Sequence, residues 1–156
     1  MWFSRKQTVK IAPAGAAAQP GQVTTKSRGD AAEAAACAYL VGAGLRRVEA
    51  NYRTPGRGGG EIDLIMHAPD GTLVFVEVRQ RASNSHGGAA ASIGGVKQRR
   101  IIFAARHYLM RFASLPPCRF DVVLVNGSLV NQPAGKGATD GAGATIEWIR
   151  GAFDTS

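Results

Sequence analysis

The feature that most constrains the fold is a pair of short apolar runs separated by a turn sequence. The runs cover residues 61–67 and 72–79, and residues 68–71 (APDG) between them are typical of a turn, so the pattern predicts a β-hairpin. Bulky apolar side chains occupy both alternating faces of the runs, as with Leu64 beside Ile65. Because a strand that is apolar on both faces must be covered on both, we expect a central sheet with helices packed on it.

Two other segments have the character of helices. Asp30 followed by Glu33 fits the spacing of a capping box, and the Ala-rich sequence up to Leu40 favours a helix that begins at Asp30. Between residues 92 and 112, apolar residues recur at steps of three and four, which predicts a second helix. Further strands are predicted at 45–53, 119–125 and 145–149, with a turn at 126–127 that leads into a returning strand at 129–130.

The chain is long enough for one domain of ordinary size. Of its 156 residues, 45% are hydrophobic, as in globular proteins rather than disordered ones. Residues 1–27 are rich in Ala, Gly, Pro and Thr and have no apolar period, so we expect a disordered basic tail there. That tail either adds loosely to polyanion binding or has no role. Residues 28–152 are expected to form a single domain.

A net charge of +8 and an isoelectric point of about 10.2 indicate a polyanionic partner, with nucleic acid the first candidate and an anionic membrane surface the second. No apolar run approaches the ~20 residues that a membrane span requires, and the N-terminus is too weakly hydrophobic for a signal peptide. We therefore expect a cytoplasmic protein with no membrane partner. Cys37 and Cys118 are expected to be buried, reduced thiols, because neither has a partner at zinc-site spacing.

The predicted hairpin brings two acidic side chains together, Asp63 on its first strand and Glu77 on its second. A hairpin centred near Asp70 places them opposite or diagonal to each other, with Cβ atoms ~4.5–5.5 Å apart when directly opposed. Two like charges beside apolar residues are unfavourable unless a hard divalent cation binds both, and Mg²⁺ and Mn²⁺ prefer such oxygen ligands. The alternative is that these acids, with Glu61, lie at the sheet edge and pair with nearby arginines.

Several short segments form a combination that is specific, although each is weak alone. They are residues 60–65 (GEIDLI), 74–79 (VFVEVR), 51–53 (NYR), 97–100 (KQRR) and 119–121 (RFD). Together they resemble the YraN family of small bacterial proteins, over about residues 29–125. That family is similar to the restriction-endonuclease superfamily and to archaeal Holliday-junction resolvases. The resemblance implies an α/β fold with a restriction-endonuclease-like core, in which helices flank a central mixed β-sheet.

The resemblance also implies an active site of the acid–(D/E)xK type, with Asp63 as the first acid and Glu77 as the (D/E)xK acid. Glu33 corresponds to a glutamate on the first helix, where a capping role is the alternative. Arg79 stands at the lysine position; arginine binds phosphate and offsets charge, but it is a poor proton acceptor. Lys97 could replace that lysine if its helix faces the site. The predicted catalytic residues are Glu33, Asp63, Glu77 and Arg79, and the three acids are the predicted ligands of Mg²⁺ or Mn²⁺.

Basic residues are numerous near this predicted site and acids are scarce outside it. A solvated face is the usual explanation for such a charge run, but here contact with phosphates is favoured. No zinc finger or RNA-binding sheet motif is present in the sequence, so we expect recognition of the backbone or of shape rather than of base sequence. The predicted nucleic-acid-binding residues are Arg53, Arg57, Arg81, Lys97, Arg99 and Arg100.

These observations favour a metal-dependent nuclease acting on DNA rather than RNA, including branched or structured DNA. The alternative is a nucleic-acid-binding protein that has an endonuclease-like fold but does not cleave, and Arg79 is its best support. A third hypothesis is a module that joins a larger DNA-processing assembly through its basic surface. The resemblance to resolvases, which act as dimers, also makes a homodimer an open alternative.

Overall fold

A five-stranded mixed sheet lies at the centre of the fold. The computed structural model describes residues 25–81, 93–127 and 145–155. In chain order and in spatial order the strands are β1 (Arg46–Arg53), β2 (Glu61–His67), β3 (Leu73–Arg81), β4 (Cys118–Asn126) and β5 (Thr145–Phe153). Neighbouring strands are antiparallel, except for β3 and β4, which are parallel and are connected through helix α2 (Gly95–Leu109).

The hairpin formed by β2 and β3 is the one that the apolar runs predicted. Ile65 pairs with Phe75, so the strands meet in an antiparallel register around a turn at residues 68–72. Gly71 has a φ of +91°, which side-chain-bearing residues rarely adopt, and the Thr72 backbone N–H donates to Asp70 Oδ1 at 3.0 Å. The turn residues therefore set the register of the two central strands.

Helices cover both faces of the sheet, as the two-sided apolar strands predicted. On one face, α2 packs on a cluster of buried residues that includes Ile65 and Phe75. On the other face, helix α1 (Thr25–Gly42) packs on a second cluster that includes Val74 and Val76. Since side chains alternate along a strand, Glu77 and Arg79 share the face of Phe75, beneath α2. The predicted α/β class, with a central mixed sheet flanked by helices, is confirmed.

Helix α1 begins earlier than the sequence pattern predicted. It starts at Thr25, so Asp30 lies inside the helix and the predicted capping box is wrong. Lys26 and Arg28 have high helix propensity, and the helix continues through them instead of starting at the Asp30–Glu33 pair. Its buried residues repeat every four positions and form one stripe against the sheet: Ala32, Ala36 and Leu40.

Strand β5 is longer than predicted: it extends to Phe153 instead of ending at residue 149, and it pairs with β4 along its length. The predicted returning strand at 129–130 and residues 1–24 of the predicted tail lie outside the described residues. Both cysteines are free thiols, but Cys37 is only half-buried and Cys118, the first residue of β4, is exposed, so the predicted burial is wrong for Cys118 and only partly met by Cys37. In the described ranges, neither helix is long and apolar enough to cross a membrane.

Candidate active site

Strands β2 and β3 stop pairing where the two predicted acids begin. Their backbone register ends at Leu64 opposite Val76. Beyond it, the Val78 backbone N–H donates to the side-chain Oδ2 of Asp63 at 2.8 Å. A carboxylate therefore takes the place of a main-chain acceptor, and β3 continues beside β4, with Glu77 opposite Val122. The acids lie at the fork where one strand leaves its antiparallel partner.

The fork opens into a cleft of about 540 Å³ beside the first turns of α2. Acidic residues reach this cleft from β2 and β3, and basic residues reach it from β3 and α2. The charged residues of its lining are Glu61, Asp63, Glu77, Arg79, Lys97 and Arg100. The hairpin and α2 thus bring two of the three predicted catalytic acids together with Arg79 and with two of the predicted nucleic-acid-binding residues, Lys97 and Arg100.

Glu77 is the most buried acid of the cleft, with only 4% of the residue exposed. Its Oε1 lies 2.5 Å from the Nζ of Lys97, which comes from the first turn of α2. The lysine side chain is itself 52% exposed, so it connects the buried carboxylate to the open part of the cleft. The helix carrying Lys97 therefore faces the site, which the sequence had left open.

The sequence contains a pattern from which the position of Lys97 on the sheet-facing side of α2 could have been predicted. Ile93 and Ile101, four residues before and after it, are buried at 5% and 2% exposure. Ile93 precedes the first residue of α2, but Ile101 lies within the helix four residues after Lys97, and residues four apart lie on one face, so Lys97 continues the buried face of α2 towards its start. A lysine that interrupts an apolar stripe in this way indicates a buried acidic partner across the interface.

The two carboxyl groups at the fork affect each other's protonation. Burial and, after it, the charge of Asp63 raise the pKa of Glu77 to about 7, against the lowering effect of Lys97. Burial likewise raises the pKa of Asp63, against the lowering effect of its hydrogen bonds from Val78 and Glu77. In the absence of a cation, the pair therefore retains a proton well above the pH at which an exposed carboxyl group loses it.

Glu33 reaches the same region from α1. Burial raises the pKa of this half-buried residue, and the charge of Asp63 raises it next. A side-chain hydrogen bond from Asn51 opposes both effects. Asn51 has a φ of +53°, a left-handed conformation that asparagine tolerates better than most residues. The sequence motif contains Asn51 but does not indicate its role, and the structure gives it a side-chain contact with Glu33.

The glycine-rich loop between β1 and β2 positions α2 against the sheet. Gly60 is buried, and a Cβ at this position would overlap the backbone carbonyl oxygen of Arg100. The loop itself is closed by hydrogen bonds between Thr54 and Gly60: the Thr54 N–H donates to the Gly60 carbonyl at 3.1 Å, and the Gly60 N–H donates to Thr54 Oγ1 at 2.8 Å. Only glycine allows the loop backbone and the helix backbone to approach so closely.

The other residues predicted to bind nucleic acid do not line the cleft, or have side chains outside the part of the chain that the structure describes. Arg53 forms an exposed ion pair with Glu61 at 3.3 Å, and both border a shallow pocket on the glycine-rich loop. Arg57 and Arg99 are exposed on the loop and on α2, and neither lines the larger cleft as the structure describes it. The side chain of Arg81, at the end of β3, lies outside the described part.

Asp63 and Glu77 suit a hard divalent cation. Both present carboxylate oxygens, which Mg²⁺ and Mn²⁺ prefer, and burial raises the pKa of each, so two ionised carboxylates are unfavourable there without a cation. A bound cation relieves that repulsion. Among the residues that the structure describes, no three His, Cys, Asp or Glu side chains lie close enough together to hold a metal ion. The role of Glu33 as a third direct ligand stays a prediction.

The sheet, its two covering helices and the acids at the strand fork are consistent with a restriction-endonuclease-like core. The sequence model of the uncharacterised protein family UPF0102, also called the YraN family, matches residues 32–125. The chain belongs to this family, as the motifs in the hairpin and in α2 predicted.

Relatives match over most or all of their length. A UPF0102 protein of Polaromonas naphthalenivorans (strain CJ2) is 73% identical over 160 residues, covering all of both chains. One of Polaromonas sp. (strain JS666 / ATCC BAA-500) is 69% identical over 156 residues, again covering both chains in full. Another, of Cupriavidus pinatubonensis (strain JMP 134 / LMG 1197), is 50% identical over 131 residues, which is 84% of this chain and 88% of that one. These names state no activity, so the chemistry must be argued from the cleft.

Proposed function

We propose that this protein is a metal-dependent nuclease that hydrolyses phosphodiester bonds in DNA, including branched or structured DNA. The observation that carries the proposal is the buried carboxyl pair of Asp63 and Glu77 at the strand fork, with cations on the walls around it. Cations alone would bind a phosphate, and acids alone would repel it. A cleft that has both can bind a phosphodiester and hold the hard cation that assists its hydrolysis.

Asp63 and Glu77 are the residues that would hold Mg²⁺ or Mn²⁺, with Glu33 the third proposed acid. When bound, such a cation lowers the pKa of a bound water and offsets charge on the phosphate. The chain orients its acids beforehand: the Val78 N–H fixes one oxygen of Asp63, and Lys97 fixes one oxygen of Glu77. Acids held by neighbouring groups in this way need little reorganisation when a ligand arrives.

Arg79 and Arg100 are the proposed phosphate-binding residues of the cleft itself. Each guanidinium stays charged at ordinary pH and offers paired N–H donors that match the oxygens of a phosphate. Arg53, Arg57, Arg81 and Arg99 would contact neighbouring phosphates along the strand. These contacts are to the backbone, so we expect affinity to fall steeply with salt and to depend little on base sequence.

A second candidate function is DNA binding without cleavage. The observation that favours it is Arg79 two residues after Glu77, because arginine does not accept a proton from an attacking water. In that case the cleft would still bind phosphates, while its acids would have only a structural role.

A cleavage assay separates the two functions. Labelled linear, flapped and four-way DNA would be incubated with the protein in Mn²⁺, Mg²⁺ or EDTA, beside Glu77→Gln, which keeps the shape of the side chain, and Glu77→Ala. We expect cutting that requires the metal and is lost in both variants, with binding retained. No cutting by the wild type in any metal, together with salt-sensitive binding that both variants retain, would overturn the nuclease and leave the binding module.

A further inference from the structure

One cation of the cleft contacts Glu77 directly, and it comes from α2 and not from β3, the strand that carries Arg79. Lys97 of α2 lies 2.5 Å from Glu77 Oε1. We propose that Lys97 is a catalytic residue of this protein, whose ammonium group holds Glu77 and at the same time binds the scissile phosphate of the DNA. This inference rests on the proposed nuclease function and adds a residue to it.

The donors of Lys97 allow it to hold two anionic groups together. An ammonium group has three N–H donors and no acceptor, and Glu77 Oε1 engages one of them. The lysine side chain is 52% exposed and lines the cleft, so its other donors are open to a ligand there. A phosphate oxygen entering beside Glu77 would therefore meet a donor that is already oriented by the protein.

The position of Lys97 is fixed by the packing of α2. Ile93 and Ile101 on either side of it are buried against the sheet. The helix start is tied by Gln98, whose side-chain Nε2 donates to the Ile93 carbonyl at 2.8 Å. One turn after Lys97, the carbonyl of Arg100 packs against Gly60. These contacts fix the start of α2, and the ion pair with Glu77 directs the ammonium group into the cleft, as positioning of a reacting phosphate requires.

The proposed step is the hydrolysis of one phosphodiester bond by one water molecule. The water oxygen forms a bond to phosphorus, the bond from phosphorus to the leaving sugar oxygen breaks, and a proton from the water ends on that sugar oxygen. Negative charge grows on the non-bridging phosphate oxygens as these bonds change. Lys97 donates hydrogen bonds to a non-bridging oxygen, where a fixed positive group stabilises the transition state more than the ground state.

The test uses three variants of the full chain. Lys97→Met removes the ammonium group but keeps an unbranched side chain, Lys97→Arg keeps the charge, and Arg106→Met removes an exposed charge near the other end of α2. Single-turnover cleavage rates in Mn²⁺, DNA affinity in EDTA, Mn²⁺ affinity and the urea midpoint of unfolding are measured for each. We expect Lys97→Met to lower the cleavage rate by about 10²–10³-fold, with DNA affinity, Mn²⁺ affinity and the midpoint changed little. Lys97→Arg should restore part of the rate, and Arg106→Met should match the wild type.

The outcomes separate this inference from the proposed function. Wild-type cleavage with an equal rate in Lys97→Met would overturn the role of Lys97 and leave the nuclease intact. Loss of Mn²⁺ binding or of the folded state in both Lys97 variants would show a structural role and overturn the inference as well. Absence of cleavage by the wild type in every metal would overturn both.

Discussion

Val78 donates its backbone N–H to Asp63 Oδ2 at 2.8 Å, and this bond joins β2 to β3 at the point where their backbones no longer pair. One oxygen of the acid is therefore used in holding the strands together. The same side chain ends the backbone ladder and begins the cleft, so structure and chemistry both depend on it.

Replacing Asp63 should separate these two roles. In Asp63→Asn the amide oxygen can still accept from Val78, so we expect the fold to be kept and Mn²⁺ affinity to fall at least about tenfold, because a charged ligand is lost. Calorimetric titration of Mn²⁺ would measure it, with Glu147→Gln, an exposed acid on β5, as the control. Equal Mn²⁺ affinity in Asp63→Asn and the wild type would contradict the assignment of Asp63 as a ligand.

The protonation of Glu77 predicts how stability changes with pH in EDTA. Its pKa is raised from 4.5 to about 7 in the folded protein, so between these values the folded state binds more protons than the unfolded state. The resulting stability is complete below about pH 4.5 and is lost as pH rises through about 7, by at most about 3 kcal/mol. Urea unfolding from pH 5 to pH 8 should therefore show a decline. Glu77→Gln should remove most of it, and an unchanged slope in that variant would contradict the prediction.

Mn²⁺ should oppose the loss of stability at higher pH, because the cation binds the ionised carboxylates. We expect Mn²⁺ to stabilise the protein more at pH 8 than at pH 6, since fewer protons must then leave Asp63 and Glu77 on binding. Thermal unfolding at both pH values, with and without the metal, measures the difference. Equal stabilisation at the two pH values would show that the metal does not bind this pair.

Gly60→Ala should destabilise the protein and impair the site together. The new Cβ would overlap the carbonyl of Arg100, so α2 must move, at a cost of roughly 1–3 kcal/mol. Lys97, one turn earlier on that helix, would move with it, and the proposed cleavage should slow. Gly29→Ala is the matched control: it lies within α1 with open space around it, and it should stabilise by up to about 1 kcal/mol. Equal urea midpoints for Gly60→Ala and the wild type would contradict the close packing.

We expect Asp121 to contribute to the free energy of unfolding but not to Mn²⁺ binding in the cleft. It is fully buried on the face away from the cleft, and it accepts hydrogen bonds from Arg119 Nε, Trp148 Nε1 and the Gly151 N–H. Asp121→Ala leaves these donors without an acceptor and should cost about 3 kcal/mol of unfolding free energy. Glu147→Ala on the same sheet should cost little. Mn²⁺ affinity that fell in folded Asp121→Ala would argue against this separation of roles.

The sequence predicted the parts of the site that depend on local geometry. Alternation along two strands and a turn of defined length were enough to bring Asp63 beside Glu77. The start of α1 was not predictable from the Asp30–Glu33 spacing, because the same residues fit a helix interior. The contact of Lys97 with Glu77 depends on how α2 lies across the sheet between β3 and β4, and the contact of Gly60 with Arg100 joins segments distant in sequence. The apolar residues around Lys97 indicate which face of α2 it lies on, but the partner in each of these contacts is set by packing between elements, which no local pattern contains.

The turn at residues 68–72 lies at the opposite end of the hairpin from the cleft, yet its length governs the chemistry proposed there. One residue inserted in that turn would exchange the faces of β3 relative to β2, so Glu77 would point into the apolar layer beneath α1 and Val76 would lie beside Asp63. Two inserted residues would restore the face but displace the acid by roughly 7 Å along the strand. Insertions and deletions should therefore be tolerated less in this turn than its position on the surface suggests, because the length of the turn determines which residue of β3 lies beside Asp63.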